Sequence, residues 1–436
     1  MAKKATAKPV AAKAAAKKPA AAAKPAAKTD GLYQKRLASL IRDYEKLVTA
    51  PNKADSRWNN GWYTRYVNPI LTNKHAPIEW RYDLNPATNP RLLERLGINA
   101  AFNSGALEHE GYIYVMARVE GFDRKSFFAL TRSRNGVDNF RFVGKPICLP
   151  EPEGNPAANV YDMRLTRHED GNIYGVYCIE RKDPKAARGD LSSAVAQCGV
   201  ARTKDLINWE FIGEVRTPSP QQRNVVLHPE FVEGKRYGWY TRPMDGFIEA
   251  GSGGGIAWGT SATIENPVLE KEVIVDERAY HTIKEQKNGA GAPPIKTKDG
   301  WLHIAHGVRG CAAGLRYVIY AFLCDLKDPS KRIAQPGGYF IAPFEEEFHG
   351  DVGNVTFLNG VVARKNGDVF IYYASADTRQ HVAKTDIDTL LDYVKNTPQD
   401  PLRTGLCVEQ RCALYDANVA YAKTAKNPLL KQLFKK

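Results

Sequence analysis

The 436-residue sequence contains no run of eighteen apolar residues, which excludes a membrane-crossing helix. Its first residues lack the apolar core of a secretory leader. Seven cysteines are scattered, several inside strand-like runs and none in a CxxC pair. They are expected to be reduced and buried, as suits a cytoplasmic protein. Residues 1–30 have no aromatic outside their Ala, Lys and Pro bias and carry eight lysines against one aspartate, 8 − 1 = +7 of the net +14. Such a segment builds no core and is expected to be disordered, either a solvated extension or a weak binder of polyanions through counterion release. From about Ser56 to residue 385 helical periodicity is missing as well, so this stretch is not an α-helical fold.

What is present begins with a helix. Leu37, Leu40, Ile41, Tyr44 and Leu47 recur at i, i+3, i+4 and i+7 within 31–50, an amphipathic helix whose apolar face needs the body of the protein or a neighbouring subunit. Short alternating strands follow, and five of them open on a glycine: Gly111, Gly171, Gly234, Gly300 and Gly367, spaced by 60, 63, 66 and 67 residues. Each is flanked by a strand on either side. Five such units predict an all-β, five-bladed propeller over 56–385, with a flat sandwich as the competing arrangement. Helical character returns at Ile387–Val394 and Asn418–Phe434, so 31–55 and 386–436 read as helical extensions around the catalytic body.

In a propeller the inner strands converge on one funnel. The inner positions carry Asn103, Ser104, Asp162, His228 to Glu230, Gly289 to Pro294 and Asn354, and the strand ends add Arg118, Arg181, Arg242, His306 and Asp377. Amides, carboxylates and arginines where a core would be apolar favour a ligand site. The segment Asn159–Asp183 reads as a hairpin turning at HEDGN, bringing Asp162 and Arg181 near one site. An inverting glycosidase needs two carboxylates, whereas one acid with several cations suits an anionic nucleophile, with Arg181, Arg202, Lys287 and His306 as its holders. The histidines of HIAH at 303–306 face opposite sides of a strand, which argues against a shared metal. GSGGG at 251–255 lacks the lysine of a phosphate loop and reads as a turn.

The segments NPIL at Asn68, FNSGAL at Phe102, VYDMRLT at Val160, IERKD at Ile179, QRNVVLHPEF at Gln222, KNGAGAPPIKTKDGWLHIAHGV at Lys287 and YYASADT at Tyr372 together resemble glycoside hydrolase family 130, from about Tyr33 to the C-terminus. The resemblance implies a five-bladed β-propeller and inverting phosphorolysis of a β-mannoside, with mannosyl-glucose and phosphate as substrates. β-1,4-Mannooligosaccharides or a non-catalytic sugar-binding role are the alternatives. It implies Asp162 as the acid that protonates the glycosidic oxygen by way of the mannose 3-hydroxyl. Arg181, Arg202, Lys287 and His306 correspond to the phosphate pocket, and Asn103, Ser104, Arg118 and Asp377 to the mannosyl subsite. Phosphate is then a co-substrate and neither cofactor nor metal is expected; homo-oligomers are common among such enzymes. Asn288 departs from the pattern, standing where an apolar residue is usual.

Overall fold

The computed structural model describes residues 27–434 apart from 59, 152–154, 248–249 and 252. Of the lysine-rich segment expected to be disordered, residues 1–26 lie outside the described residues.

Helix α1 (Ala27–Val48) ends just before Pro51, which cannot continue it. Its Tyr33 and Val48 are buried, the Tyr33 hydroxyl donates to the Leu84 carbonyl at 2.6 Å, and the stripe between them is half-buried on the body. The body is mostly β. A two-residue strand β1 (Thr64–Arg65) and a single turn α2 (Ile78–Arg81) lead into antiparallel runs. The first is β2 (Ile98–His109), β3 (Tyr112–Gly121), β4 (Ser126–Ser133) and β5 (Arg141–Phe142). The second is β6 (Asn159–Arg167), β7 (Ile173–Lys182), β8 (Ala194–Thr203) and β9 (Glu210–Val215). The third is β10 (Val226–Val232), β11 (Arg236–Thr241), β12 (Ile256–Ser261) and β13 (Val273–Asp276). The fourth is β14 (Lys287–Ala290), β15 (Ile295–Lys296), β16 (Trp301–Cys311), β17 (Gly314–Cys324) and β18 (Arg332–Ala334). The last is β19 (Thr356–Ala363), β20 (Asp368–Ser375) and β21 (Arg379–Asp386).

These runs form four sheets, because the first and last join into one of eight strands through a single parallel pair, Ala101 with Arg379. Strand β1 completes the last run by pairing with β21, so an N-terminal strand is sewn onto the C-terminal unit. The five repeat glycines all sit in the turn after a unit's innermost segment, with φ of 75°, 84°, 73°, 153° and 92°. That turn needs a left-handed backbone, which is why the repeat is legible as glycine.

The core comes in layers between neighbouring runs. Tyr114, Met116 and Phe128 of the first pack on Leu165, Tyr177 and Ile179 of the second. Val176 and Val200 meet Leu227 and Trp239; Tyr240 and Trp258 meet Trp301 and Phe322; Leu302 and Ile319 meet Leu358 and Ile371. A fifth layer returns to the start, with Phe370 and Tyr372 against Val115 and Ala117.

Helix α3 (Ile387–Asn396) is capped by the Asp386 carboxylate, which accepts from the Thr389 amide at 2.8 Å, and its Leu390, Leu391 and Val394 join the fifth-run core. Helix α4 begins at Thr404, ahead of Asn418, and runs to Thr424; Pro428 then opens α5 (Pro428–Leu433). No described helix is long and apolar enough to cross a membrane. All seven cysteines are free, but only Cys178, Cys198 and Cys324 are buried, while Cys148 and Cys412 are exposed. The expectation of uniformly buried thiols therefore holds for three of the seven.

Candidate active site

The innermost strand of each run is broken where the runs converge. Pairing slips between Phe102 and Gly105 on β2, between Tyr161 and Arg164 on β6, between Leu227 and Phe231 on β10 and between Leu358 and Gly360 on β19. In the fourth run the strand stops at Ala290 and resumes at Ile295. A bulge re-aims side chains that regular alternation would send to a flanking sheet. It leaves Asn103 and Asp162 with left-handed φ of 43° and 60°, and Asn354 and Asp377 have φ of 64° and 52°. Asn and Asp tolerate this region better than other residues with a Cβ. The strands also come close: a Cβ on Gly360 would lie 2.7 Å from the Ser104 carbonyl, and one on Gly105 would lie 2.6 Å from the Met163 carbonyl.

Above this convergence lies a cavity of about 750 Å³, large enough for a disaccharide and an anion. One wall is acidic. Asp162 Oδ1 accepts from Asn103 Nδ2 at 3.1 Å and from Arg118 Nη1 at 3.3 Å. Arg118 is in turn fixed by Glu120 at 3.1 Å and by the Ser126 hydroxyl at 2.9 Å, and its guanidinium lies over the Phe102 ring. Asp377 lines the same wall; desolvation first, opposed by Arg118 and reinforced by the charge of Asp162, pushes its carboxyl up to about 6. Asp351 lines the cavity too, a third carboxylate beside the expected Asp162 and Asp377.

A second wall is cationic. Arg242 is 3% exposed, yet its Nη1 is 3.5 Å from His306 Nε2, its Nη2 is 3.3 Å from the Met244 sulfur, and its Nε has no partner among the described residues. Burial, then the charge of Arg223, lowers it to about 10. Arg223 donates to the Phe247 carbonyl at 3.1 Å and stacks on Phe247 and Tyr161, and Lys287 completes the wall. Neither Arg223 nor Arg242 has a carboxylate partner among the described residues. Beneath them Arg164, 1% exposed, is spent on the carbonyls of Gly291, Asp162 and Ala290. Arg223 is half-buried and its charge is supported by Tyr161, Cys178 and Asp162, whereas a buried guanidinium such as Arg242 is costly unless an anion arrives to satisfy it.

Of the residues expected at the site, Asp162, Lys287, Asn103, Arg118 and Asp377 line the cavity. Four do not. Arg181 shares a face of β7 with Tyr177 and Ile179, opens onto a separate apolar cavity, and pairs with Glu214 at 2.6 Å. It pairs across to Val195 rather than to β6, so the hairpin places its two ends on different faces. Arg202 lies at the outer rim, held by Glu210 at 2.8 Å and Glu265 at 3.2 Å. His306 is fully buried behind Arg242 and held well below the ordinary histidine range, by burial and then by Arg242, so it is neutral and adds no positive charge. Ser104 is buried, with its hydroxyl on the Phe102 carbonyl and its amide on Gln380. Arg242, expected at the funnel as a strand end but given no role there, lines the cavity as well; residues not found from sequence are Arg223 and Asn224, although they lie inside the QRNVV motif, and Tyr317, for which no repeat position gave a signal.

Residues 68–396 match the family described as beta-1,4-mannooligosaccharide phosphorylase, glycoside hydrolase family 130. Over 392 residues the chain is 55% identical to the 4-O-beta-D-mannosyl-D-glucose phosphorylase of Bacteroides fragilis, covering 90% of this chain and 100% of that one. It is 28% identical over 336 residues to the beta-1,4-mannooligosaccharide phosphorylase of Ruminococcus albus, covering 73% and 91%. Among solved structures, the beta-1,2-mannobiose phosphorylase of Listeria innocua superposes with a TM-score of 0.60 at 21% identity, covering 76% of this chain and 98% of that one. That last likeness concerns the fold alone.

Proposed function

The chain belongs to glycoside hydrolase family 130, and from that premise we propose that it is an inverting phosphorylase converting 4-O-β-D-mannosyl-D-glucose and phosphate to α-D-mannose 1-phosphate and D-glucose. The observation that carries the reading is Arg242, a buried guanidinium facing the cavity with no carboxylate partner among the described residues. A hydrolase that activates water has no use for such a group, whereas a phosphate nucleophile supplies the missing charge.

In this reading Arg242, Arg223 and Lys287 hold phosphate against the anomeric carbon of the mannosyl unit. A phosphate oxygen bonds to that carbon from the face opposite the leaving oxygen as the glycosidic bond breaks, which inverts the configuration. Asp162 supplies the proton to the leaving glucose oxygen by way of the mannose 3-hydroxyl, and Asn103 and Arg118 hold its carboxyl in place. Asn103, Arg118 and Asp377 also contact the mannosyl unit. Phosphate is a co-substrate, and the reading needs neither cofactor nor metal.

The five core layers, the last returning to the first, and β1 sewn onto the final run support a closed five-bladed propeller over 56–385. Self-association belongs to the reading as well. Helix α4 buries only Ala422 and exposes Leu414, Tyr415 and Tyr421 with few charges to solvate them, which supports a partner surface. Free thiols support a reducing, cytoplasmic setting.

The test is glucose release from mannosyl-glucose with and without inorganic phosphate, beside mannobiose. Phosphate-dependent release from mannosyl-glucose is expected. Release without phosphate refutes the reading, and preferred cleavage of mannobiose transfers it to the oligosaccharide branch.

A further inference from the structure

Asn288, the departure from the family pattern, is not a loop variation. It is fully buried, and its Nδ2 faces three acceptors: the Asp276 carbonyl at 3.1 Å, Asp276 Oδ2 at 3.0 Å and the Tyr320 hydroxyl at 3.0 Å. The Tyr320 hydroxyl donates to Asp276 Oδ2 at 2.5 Å, and Gln335 Nε2 donates to Oδ1 at 3.0 Å. Lys284 and Arg332 pair with the same Oδ1. One fully buried carboxylate thus ties the end of β13 to the loop before β14, to β14 itself, to β17 and to β18.

The strand it holds is four residues long, Lys287–Ala290, paired with Val308 to Ala305 on β16. Successive side chains of a strand point to opposite faces. Asn288 faces the buried knot, so Lys287 and Gly289 face the cavity. Lys287 lines it, and a Cβ on Gly289 would sit 2.6 Å from His306 Cε1 and 3.4 Å from Arg242 Nη1. The same strand therefore presents one cation and leaves the gap that seats the His306 ring, on whose Nε2 the Arg242 guanidinium rests at 3.5 Å.

We propose that Asn288 is a positioning residue: through Asp276 and Tyr320 it fixes the height and register of β14, and so the places of Lys287 and of the Arg242 guanidinium at the anion-holding wall. This rests on the reading of that wall as the phosphate site. So short a strand has little ladder of its own to resist a slip. A displacement of about 1 Å at a positioned group is enough to cost about a hundredfold in rate.

Asn288→Leu keeps the volume and removes the donor; Tyr320→Phe removes one hydroxyl and is the milder variant should the first fail to fold. Both are assayed for KM of phosphate, KM of mannosyl-glucose and thermal midpoint, beside Lys287→Ala. The expected result is a rise in phosphate KM of about tenfold for Asn288→Leu and about threefold for Tyr320→Phe, with the disaccharide KM within about twofold of wild type. A lowered thermal midpoint with phosphate KM unchanged in the folding variants overturns the proposal and leaves a purely structural knot. If Lys287→Ala raises phosphate KM and the other two do not, only the positioning role fails. If Lys287→Ala also leaves it unchanged, the assignment of the wall fails with it.

Discussion

Replacing Arg242 by methionine tests the site through two effects of opposite sign. The residue is 3% exposed, has a histidine nitrogen and a thioether as its terminal partners, and carries an Nε with none among the described residues. Its fall from the ordinary guanidinium range to about 10 corresponds to roughly 3 kcal/mol borne by the charged form in the folded protein at every pH below that value. Methionine keeps the apolar stem and removes the charge, so without phosphate the variant is expected to be more stable by about 1–3 kcal/mol, a few degrees in thermal midpoint. With phosphate the order reverses. Wild type at a hundredfold excess over its dissociation constant gains about 2.7 kcal/mol, and the variant loses most of that. Losing a charge-assisted hydrogen bond of about 1.5–3 kcal/mol lowers kcat/KM for phosphate by about 10- to 150-fold. Thermal unfolding with and without phosphate, together with phosphorolysis rates, reads both effects. A variant that is less stable without phosphate and unchanged in phosphate KM would refute the reasoning, because the guanidinium would then be neutralised within the protein.

Asp162→Asn is expected to lower kcat by about 10²- to 10⁴-fold; near-wild-type turnover would move the proton donor elsewhere. Asp377, raised to about 6, binds its proton more tightly folded than unfolded between about pH 4 and 6, so its ionisation costs stability above that window. Asp377→Asn should therefore stabilise by about 1–3 kcal/mol at pH 8, with the gain vanishing toward pH 4; a gain independent of pH would contradict this. Burial lowers His75, His228 and His381 to about 4 and His303 to about 3. Folding thus excludes protons that the unfolded chain binds below about 6.5, and the thermal midpoint should drop from pH 6.5 to 4, the four histidines outweighing Asp377. Flat midpoints over that range would refute it. Arg181→Ala and Arg202→Ala should leave phosphate KM within about twofold, and a larger change in either would return it to the anion site.

The scaffold was legible because its signals are local. Each repeat glycine marks a turn that only a left-handed residue makes cheaply, and alternation then sets the strands on either side. Convergence of the inner strands and their ends was enough to find Asn103, Asp162, Asn354, Arg118, Arg242 and Asp377, and Lys287 was found as an expected anion holder. It failed for Arg181 because alternation was carried through a bulge: two residues of β6 stand opposite one of β7, and the guanidinium lands on the face of Tyr177 and Ile179. Arg202 was misplaced because its partners Glu210 and Glu265 lie eight and sixty-three residues away, and nothing in the chain announces that pairing. Arg223 sits in the connector ahead of β10, outside any repeat position, so only the folded molecule shows that it faces the cavity.

The chemistry therefore sits where the repeat is broken. A regular inner strand alternates between two flanking cores and offers no side chain to the convergence; a bulge does, at the cost of a left-handed residue, roughly 1–2 kcal/mol for one that carries a Cβ. Asn103 and Asp162 bear that cost in bulges, and Asn354 and Asp377 bear it in turns beside the cavity; all four are Asn or Asp, whose short polar side chains keep it low. Residue type at these positions thus answers to backbone and chemistry at once. The consequence for testing is specific: Asp162→Asn preserves the side chain that tolerates φ of 60° and removes only the acid, whereas Asp162→Ala removes the acid and strains the bulge. A loss of turnover in the alanine variant alone says nothing about proton transfer, and the asparagine variant is the one that isolates it.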